Sequence, residues 1–402
     1  FVPLYAVTEA LGAEVGYDAE TSTVSAKRGG VELAMVPGQK QLTVTESGQS
    51  RTVEMDAAPY IKESNGRTYI PVRYAAEAFG YSVGWDQDDK TVILVDVEAL
   101  LGDATFELMD NFAAYCAKEN QSENMAMTGK LTVELTDKTG ELGSKPIQVT
   151  GSVDGIAGEK GAQMTVKLDL SSLKELTGLS GFTPVEQAML EAMLESLSSM
   201  TAELRYDMEK ETLYFLLPAE LTGMENTWYS LDLGAYVAQV LEAIDLTKLD
   251  QLTEDAGVRD VLVWALGSVP LNDKDLDYEI LAEAAELYTR MLSDQVFTQK
   301  GDSYTASIVL EEIVNVEIVL TKRGENIAAM DMTVTAAAEE EGMKLSMSMK
   351  EHVTPDKEDV TMDMSVEDGE IAMKLHMEMN SQPTEKVPAT QPPAGAQIVP
   401  AA

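Results

Sequence analysis

Apolar and polar residues alternate over long stretches of this chain, most clearly after residue 124. Met125, Met127, Leu131, Val133 and Leu135 fall on one side of a period-two pattern. Successive side chains of a strand point to opposite faces, so this period predicts half-buried antiparallel strands. Comparable segments recur as "IQVTGSVDG", "AQMTVKLDL", "MTAELRYDM", "TWYSLDL", "SYTASIVLEE", "VNVEIVLTK", "IAAMDMTVTAAA", "MKLSMSMKE", "DVTMDMSVE" and "EIAMKLHMEM".

Helical periodicity interrupts these strands in three places. Residues 104–119 form one candidate, and residues 234–298 are predicted to be mostly helical. The segment "FTPVEQAMLEAMLESLSSM" begins with Thr183 as N-cap, Pro184 in the first turn and Glu186 completing a capping box. The order of elements predicts an α+β fold, with one large curved, half-barrel-like antiparallel sheet and helices packed on one face.

The first 96 residues repeat themselves. Aligning Pro3 with Pro71 needs no gap through Val24 and Val92, and nine of the 24 pairs are identical. Each copy shows helical spacing, a glycine that ends the helix, and two strands around a tight turn. The pattern predicts an internal repeat of helix, strand, turn and strand, and so a small α/β-hairpin module.

The second copy reads "NGRTYIPVRYAAEAFGYSVGWDQDDKTVIL". Its Asn-Gly turn, aromatic-Ile-Pro-x-Arg entry, Ala-Glu-Ala helix and Val-x-Trp-Asp strand resemble the copper amine oxidase N-terminal domain, a stalk-like module. The resemblance covers residues 1–96, although the first copy has Tyr5 where the second has Arg73. It implies an extracellular appendage of a bacterial envelope protein. Oxidase chemistry itself needs three histidine copper ligands, and the chain has only His352 and His376.

We therefore predict three regions: an N-terminally truncated repeat domain at 1–98, a sheet-and-helix domain at 104–380, and a disordered Pro/Ala-rich tail at 381–402. The middle region, with its "NTWYSLDL" strand, resembles LolA-like lipoprotein carriers. That resemblance implies an apolar hollow between sheet and helices that holds acyl chains. It assigns no individual ligand residue.

Charge and cysteine content restrict the class of protein. The chain carries 29 basic and 69 acidic residues, a net charge of −40, which argues against nucleic-acid binding. Cys116 is the only cysteine, so no intrachain disulfide can form, and this composition suits the cytosol and equally the outside of many Gram-positive bacteria. The sequence shows no membrane span, and it opens on Phe1 partway through a repeat, so we expect a leader to have preceded it.

Methionine is concentrated near the end of the sheet region, where ten of the 22 lie between residues 330 and 379. They recur at strand period, so neighbouring strands would share one methionine-lined surface. Three interpretations remain open: an adaptable packed core, a cavity for a hydrophobic ligand, and a thioether site for Cu(I). We take the ligand surface as the hypothesis, with Met332, Met347, Met349, Met362, Met364, Met377 and Met379 as its candidate residues.

The remaining candidate residues for metal binding or catalysis are better explained without a ligand. Asp273, Asp275 and Asp277 imitate the opening of a calcium loop, but Tyr278 and Ala284 stand where that loop needs glycine and glutamate, so an acidic helix start is the preferred interpretation. His352 and His376 have no acidic or cysteine partner at ligand spacing. We predict no cofactor, no metal and no enzymatic activity.

The predicted function is therefore that of a non-catalytic, secreted or surface-attached envelope protein. Its partners would be a lipid or other hydrophobic ligand and a cell-wall or envelope component. The alternatives are a purely structural or adhesive scaffold and, less favoured, a hydrolase that uses scattered carboxylates.

Overall fold

The computed structural model describes residues 1–5, 11–46, 48–140, 145–178, 183–196, 198–234, 256–273, 275–340 and 342–401. The chain divides into two compact units. The first comprises Phe1–Ala104 with Ala243–Thr289, and the second comprises Thr105–Glu242 with Arg290–Ala402.

The strands follow one another along the chain in this order: β1 Val2–Pro3, β2 Glu14–Asp18, β3 Thr23–Arg28, β4 Val31–Met35, β5 Gln41–Glu46, β6 Gln49–Glu54, β7 Tyr60–Lys62, β8 Arg67–Ile70, β9 Tyr81–Asp86, β10 Thr91–Asp96, β11 Asn124–Asp137, β12 Ile147–Gly158, β13 Gly161–Asp169, β14 Ser199–Asp207, β15 Thr212–Leu216, β16 Thr227–Asp232, β17 Thr298–Lys300, β18 Ser303–Leu310, β19 Val314–Arg323, β20 Asn326–Glu340, β21 Met343–Thr354, β22 Lys357–Glu367, β23 Ile371–Pro383 and β24 Gln397–Pro400.

The described helices are α1 Val72–Ala78, α2 Val97–Leu101, α3 Glu107–Glu119, α4 Pro184–Ser196, α5 Ala219–Thr222, α6 Val258–Gly267 and α7 Leu276–Leu292, with 3-10 turns at Ser171–Gly178 and Asp294–Val296. Helix α4 begins as predicted: the Thr183 backbone N–H donates to the Glu186 carboxylate (2.8 Å), and the Glu186 N–H donates to the Thr183 hydroxyl (3.3 Å). None of the described helices is long and apolar enough to cross a membrane.

The first unit is built on short strands. β2 to β6 form a five-stranded sheet in chain order, β1, β8 and β7 form a second sheet, and β9 pairs with β10. Alternate residues of β3, β4 and β5 enter a closed core together with α1, in which Leu33, Leu42 and Ala76 have no exposed surface. The helix predicted for the first repeat copy includes residues 6–10, which lie outside the described residues, and the repeat itself stays a prediction.

Part of the segment predicted to be helical belongs to this first unit rather than to the large sheet. The backbone N–H of Trp85 donates to the Leu271 carbonyl (3.1 Å), and the Ser82 hydroxyl donates to the Gly267 carbonyl (3.2 Å). A Cβ at residue 84 would lie 2.2 Å from the Leu271 carbonyl oxygen, so only glycine allows this approach. The residue pattern alone places these residues in the predicted domain at 104–380, because contacts between distant segments leave no periodic signal. Residues 235–255 lie outside the described residues.

The second unit confirms the predicted large antiparallel sheet. Its 14 strands run in the order β17-β18-β19-β20-β21-β22-β23-β11-β12-β13-β14-β15-β16-β24, and β17 and β24 are its two edges. The hairpins join long strands, and β23 returns to pair with β11, so the C-terminal strands lie beside the first strand of the unit. Helix α3 packs on β18, β19 and β20, where Phe112 contacts the cluster around Ile318 and Leu320.

The C-terminal segment differs from the predicted disordered tail. Ser381–Pro383 completes β23, and Gln397–Pro400 forms β24, which pairs in parallel with β16. Between them, Gln391 donates to the buried Asp207 carboxylate (2.7 Å), and Arg205 donates to the Gln391 carbonyl (2.5 Å). Composition indicated disorder because it does not register these specific tertiary hydrogen bonds.

Candidate ligand-binding face of the large sheet

The strand register brings most of the candidate methionines together. Met349 pairs with Met362, and Met362 pairs with Met377 on the next strand. The adjacent row pairs Met347 with Met364. These five methionines, with their neighbours Val334 and Leu131, define what we call the methionine face.

Met332 and Met379 lie in a third row, two residues further along their strands. Their row is interrupted by Glu351, which pairs with Met332 on one side and with Val360 on the other. Val360 in turn pairs with Met379. All seven candidates thus lie on the same side of the sheet, with five in two compact rows and two at the margin.

Solvent reaches the methionine face. Met347, Met349, Met362, Met364 and Met377 are all half-buried, and Met379 at the margin is 40% exposed. Further along the same side, Met343 is 52% exposed and Met373 is 42% exposed. The face is therefore neither a closed core nor a fully solvated surface.

Glu351 is an ionisable residue among the apolar side chains of this side of the sheet. Burial is the main cause that raises the pKa of its carboxyl group above the ordinary value, and repulsion from Glu358 raises that pKa further. Glu358 lies two residues before Val360 on β22, so both carboxylates are on the methionine side of the sheet. The margin of the face is consequently acidic.

The opposite side of the same strands is polar. One open cleft of about 540 Å³ is lined mainly by Thr132, Glu134, Ser346, Ser348, Asp363 and His376, with Met347, Met364 and Leu375 also among its lining residues. A second open cleft of about 580 Å³ is lined mainly by Lys130, Asp154, Asp359, Thr361, Glu378 and Asn380, with Val360 and Met379 also among its lining residues. The sheet is thus amphipathic, with apolar and polar residues separated by strand alternation.

Both histidines lie on this polar side, and each has an acidic partner. Nδ1 of His352 lies 2.7 Å from the Asp331 carboxylate, and Nδ1 of His376 lies 2.7 Å from Asp363. The hydrogen bond to Asp363, followed by one to Glu378, raises the pKa of His376. These pairs were not predicted because the partners are 21 and 13 residues away in the sequence, although the symmetry of each hairpin about its turn could have indicated them.

The three aspartates near the start of α7 serve that helix. The Asp277 carboxylate accepts from the Asp273 backbone N–H (2.7 Å), and the Asp273 carboxylate accepts from the Asp275 N–H (3.0 Å). Within the described ranges, no group of three or more His, Cys, Asp or Glu side chains is placed to hold a metal ion. Cys116 is half-buried beside Phe112, and burial raises the pKa of its thiol.

Residues 1–94 match the family model of the copper amine oxidase N-terminal domain. This match confirms the N-terminal resemblance, and it concerns the non-catalytic stalk module rather than the catalytic part of those oxidases. No curated protein matches the chain. The resemblance of residues 104–380 to LolA-like carriers stays a prediction.

Three solved structures show weak similarity to this chain. Neisserial surface protein A is 6% identical, with 65% of this chain and 98% of that chain covered and a TM-score of 0.15. Ail of Yersinia pestis, solved with the heparin analogue sucrose octasulfate, is 5% identical, with 65% and 97% covered and a TM-score of 0.15. Lipovitellin, in a structure titled for lipid–protein interactions, is 7% identical, with 67% and 26% covered and a TM-score of 0.21. Such low TM-scores carry no argument about function.

Proposed function

We propose that this chain is a non-catalytic, extracytoplasmic bacterial envelope protein whose stalk-type N-terminal module carries a sheet domain that binds a lipid or another hydrophobic ligand. The ligand lies on the methionine face. The observation that carries the proposal is the half-exposed state of Met349, Met362 and Met377 in one continuous cross-strand row.

Two physical arguments support a ligand on this face. Contiguous exposed apolar surface is unfavourable in water, and patches of several hundred Å² usually mark interaction sites. Methionine side chains are flexible and polarizable, so they adapt to alkyl chains that have no fixed shape. The raised pKa of Glu351 fits the same arrangement, because it reflects a partly desolvated margin.

The envelope address rests on the N-terminal match. The module that resembles residues 1–94 is typical of extracellular appendages on envelope proteins, and the strongly negative charge suits a soluble extracytoplasmic chain. The competing proposal is a structural or adhesive scaffold without a small-molecule ligand, in which the methionine face would be covered by another protein surface.

Lipid analysis of the full chain purified from its own host distinguishes the lipid-binding proposal from the scaffold proposal. We expect acyl lipids to copurify with the wild-type protein and to be strongly depleted from the double variant Met362→Gln/Met377→Gln, because two polar amides in the central row would have to be desolvated by the ligand. Met189→Gln is the matched control, since Met189 is 70% exposed on α4.

Organic extraction and mass spectrometry measure the bound lipid, and circular dichroism checks that each variant is folded. Absence of lipid from the wild-type protein would favour the scaffold. The same conclusion would follow if the folded double variant and the control carried as much lipid as the wild type.

A further inference from the structure

The hairpin β7–β8 of the first unit contains an electrostatic conflict. Lys62 and Arg67 are directly opposite each other in its register, and both side chains are exposed. Neither forms an ion pair with a carboxylate in the part of the chain that the structure describes. Like charges that face each other across two strands destabilise the pairing.

This conflict occurs in a chain that has 69 acidic residues. An acidic residue in place of Lys62 or Arg67 would remove the repulsion, and a chain so rich in acidic residues does not lack them. The pairing of two cations therefore needs another explanation. Local choices that work against the fold concentrate at functional sites, where another interaction compensates for them. An anion bound between the two cations would supply that compensation.

Aromatic rings lie on the same side of the same hairpin. Tyr60 and Tyr69 are also cross-strand partners, and their rings stack with centroids 5.4 Å apart and planes 11° apart. Phe1 approaches Tyr60 with a centroid distance of 5.3 Å, and Nζ of Lys62 lies 5.5 Å from the Tyr69 ring centroid. Tyr60 is 43% exposed. We call Tyr60, Lys62, Arg67 and Tyr69 the aromatic–cationic face.

We propose that the aromatic–cationic face binds an acidic glycan, a sugar polymer whose rings carry carboxylates. The apolar C–H groups of a pyranose ring would pack on the exposed tyrosine surface. Its carboxylate would lie between the Lys62 ammonium and the Arg67 guanidinium, where charge-assisted hydrogen bonds form and the planar guanidinium can bind both oxygens.

Three other anionic ligands suit this face less well than an acidic glycan. An acidic peptide supplies the charge but no saccharide ring for the tyrosine surface. A second copy of this chain, at −40, is repelled. Double-stranded nucleic acid carries about one charge per 1.7 Å of its axis, more than one carboxylate per sugar ring supplies, so it suffers more from the same negative field. At physiological ionic strength, charges beyond about 8 Å are largely screened, so the local cation pair dominates at close range.

This inference takes only the envelope location of the protein from the proposed function. The aromatic–cationic face belongs to the first unit and the methionine face to the second. Lipid binding and glycan binding can therefore fail independently, and each experiment reports on one of them.

Isothermal titration calorimetry of the full chain tests the inference with a galacturonic acid hexamer and with its fully methyl-esterified form. The ester keeps the rings and removes the charges. We expect binding of the acid to be at least about tenfold tighter than binding of the ester, as expected for the loss of charge-assisted hydrogen bonds.

Variants identify the surface. Lys62→Gln/Arg67→Gln and Tyr60→Ala should each weaken binding of the acid at least about tenfold. Lys40→Gln and Tyr17→Ala should leave it unchanged, since both side chains are exposed on other strands or loops of the unit. The double glutamine variant should also keep or raise the melting temperature of the free protein, because it removes the repulsion. A purely structural role for the two cations would instead lower the melting temperature.

Several results would overturn the inference: no binding of the acid by the wild-type protein, equal binding of acid and ester, or unchanged binding in either variant of the face. Equal or tighter binding of poly-glutamate or of an oligo-dT strand would also overturn it, because neither ligand carries an acidic sugar ring.

Discussion

The short-stranded sheet of the first unit and the long-stranded sheet of the second follow the same alternating pattern with opposite results. In the first unit, the inward residues of β3, β4 and β5, such as Ala26, Leu33 and Leu42, have no exposed surface. In the second unit, the equivalent positions of β21, β22 and β23 are half-buried, and Met379 is 40% exposed.

The difference lies in what covers each face rather than in the strands. Helix α1 contributes Ala75 and Ala76 to the core under the first sheet. Helix α3 covers β18 to β20 of the large sheet through Phe112, while solvent reaches the methionine face on the strands that follow. Alternation therefore shows which residues share a face, whereas the packing of other elements decides whether that face is dry.

The largest expected effect compares the substitution of one inward-facing residue in each unit. Leu33→Ala should reduce the free energy of unfolding by about 2–5 kcal/mol, because it leaves a cavity in a closed core. Met362→Ala should cost about 1 kcal/mol or less, since its half-exposed site leaves no enclosed void. Hydrogen-exchange mass spectrometry of peptides from β4 and β22 measures both. Equal losses would show that the methionine face is enclosed as fully as the first core.

A second prediction concerns the C-terminal segment that crosses the far end of the large sheet. Gln391→Ala should cost about 1–3 kcal/mol, because the Asp207 carboxylate, 4% exposed, loses a hydrogen bond where water cannot replace it. Urea unfolding followed by tryptophan fluorescence, to which the buried Trp228 contributes, measures the change.

Gln382→Ala is the control for that experiment, since Gln382 is exposed on β23. If Gln391→Ala lowers the free energy of unfolding by no more than Gln382→Ala does, the C-terminal segment is not held against the sheet in solution.

The smallest effect concerns the charge at the margin of the methionine face. Because burial raises the pKa of Glu351 in the folded state, the unfolded chain releases this proton first as the pH rises. Glu351 thus lowers stability as the pH climbs through its ordinary pKa and on through the raised one. Glu351→Gln should raise the melting temperature at pH 7 and leave it nearly unchanged at pH 4.

Calorimetric melting curves at the two pH values provide the measurement, with Glu325→Gln as a control at an exposed turn position. An equal melting temperature for wild type and Glu351→Gln at pH 7 would indicate that Glu351 is fully hydrated, and that the margin of the face is wetter than the structure shows.

Local signals were sufficient for much of the fold. The Thr183–Glu186 capping box, the glycine that follows α1 and the long hairpins at the C-terminal end are all encoded within a few residues of one another. Period alone placed the candidate methionines of each strand on one face of that strand. The rows that join Met347 to Met364 and Met349 to Met362 required the register, which the hairpin geometry fixes.

Features that depend on distant segments were not predictable. The pairing of β23 with β11 joins residues more than 200 positions apart, as at Met377 and Leu131, and no local pattern indicates it. The binding of residues 267–271 to β9 and the order of the C-terminal segment have the same origin. The histidine–aspartate pairs depend on less distant residues, since predicting each of them needs only the register of one hairpin.

By itself, the sequence determined the strand periods, the helix ends, the resemblance of residues 1–94 to a stalk module and the acidic charge. These properties depend on residues close together in the chain or on composition. Only the tertiary structure decided that the methionine face stays open to solvent, that Lys62 opposes Arg67, and that the C-terminal segment joins the sheet. Each of these depends on which surfaces meet in space, and burial and electrostatic energies follow distance in space rather than distance along the chain.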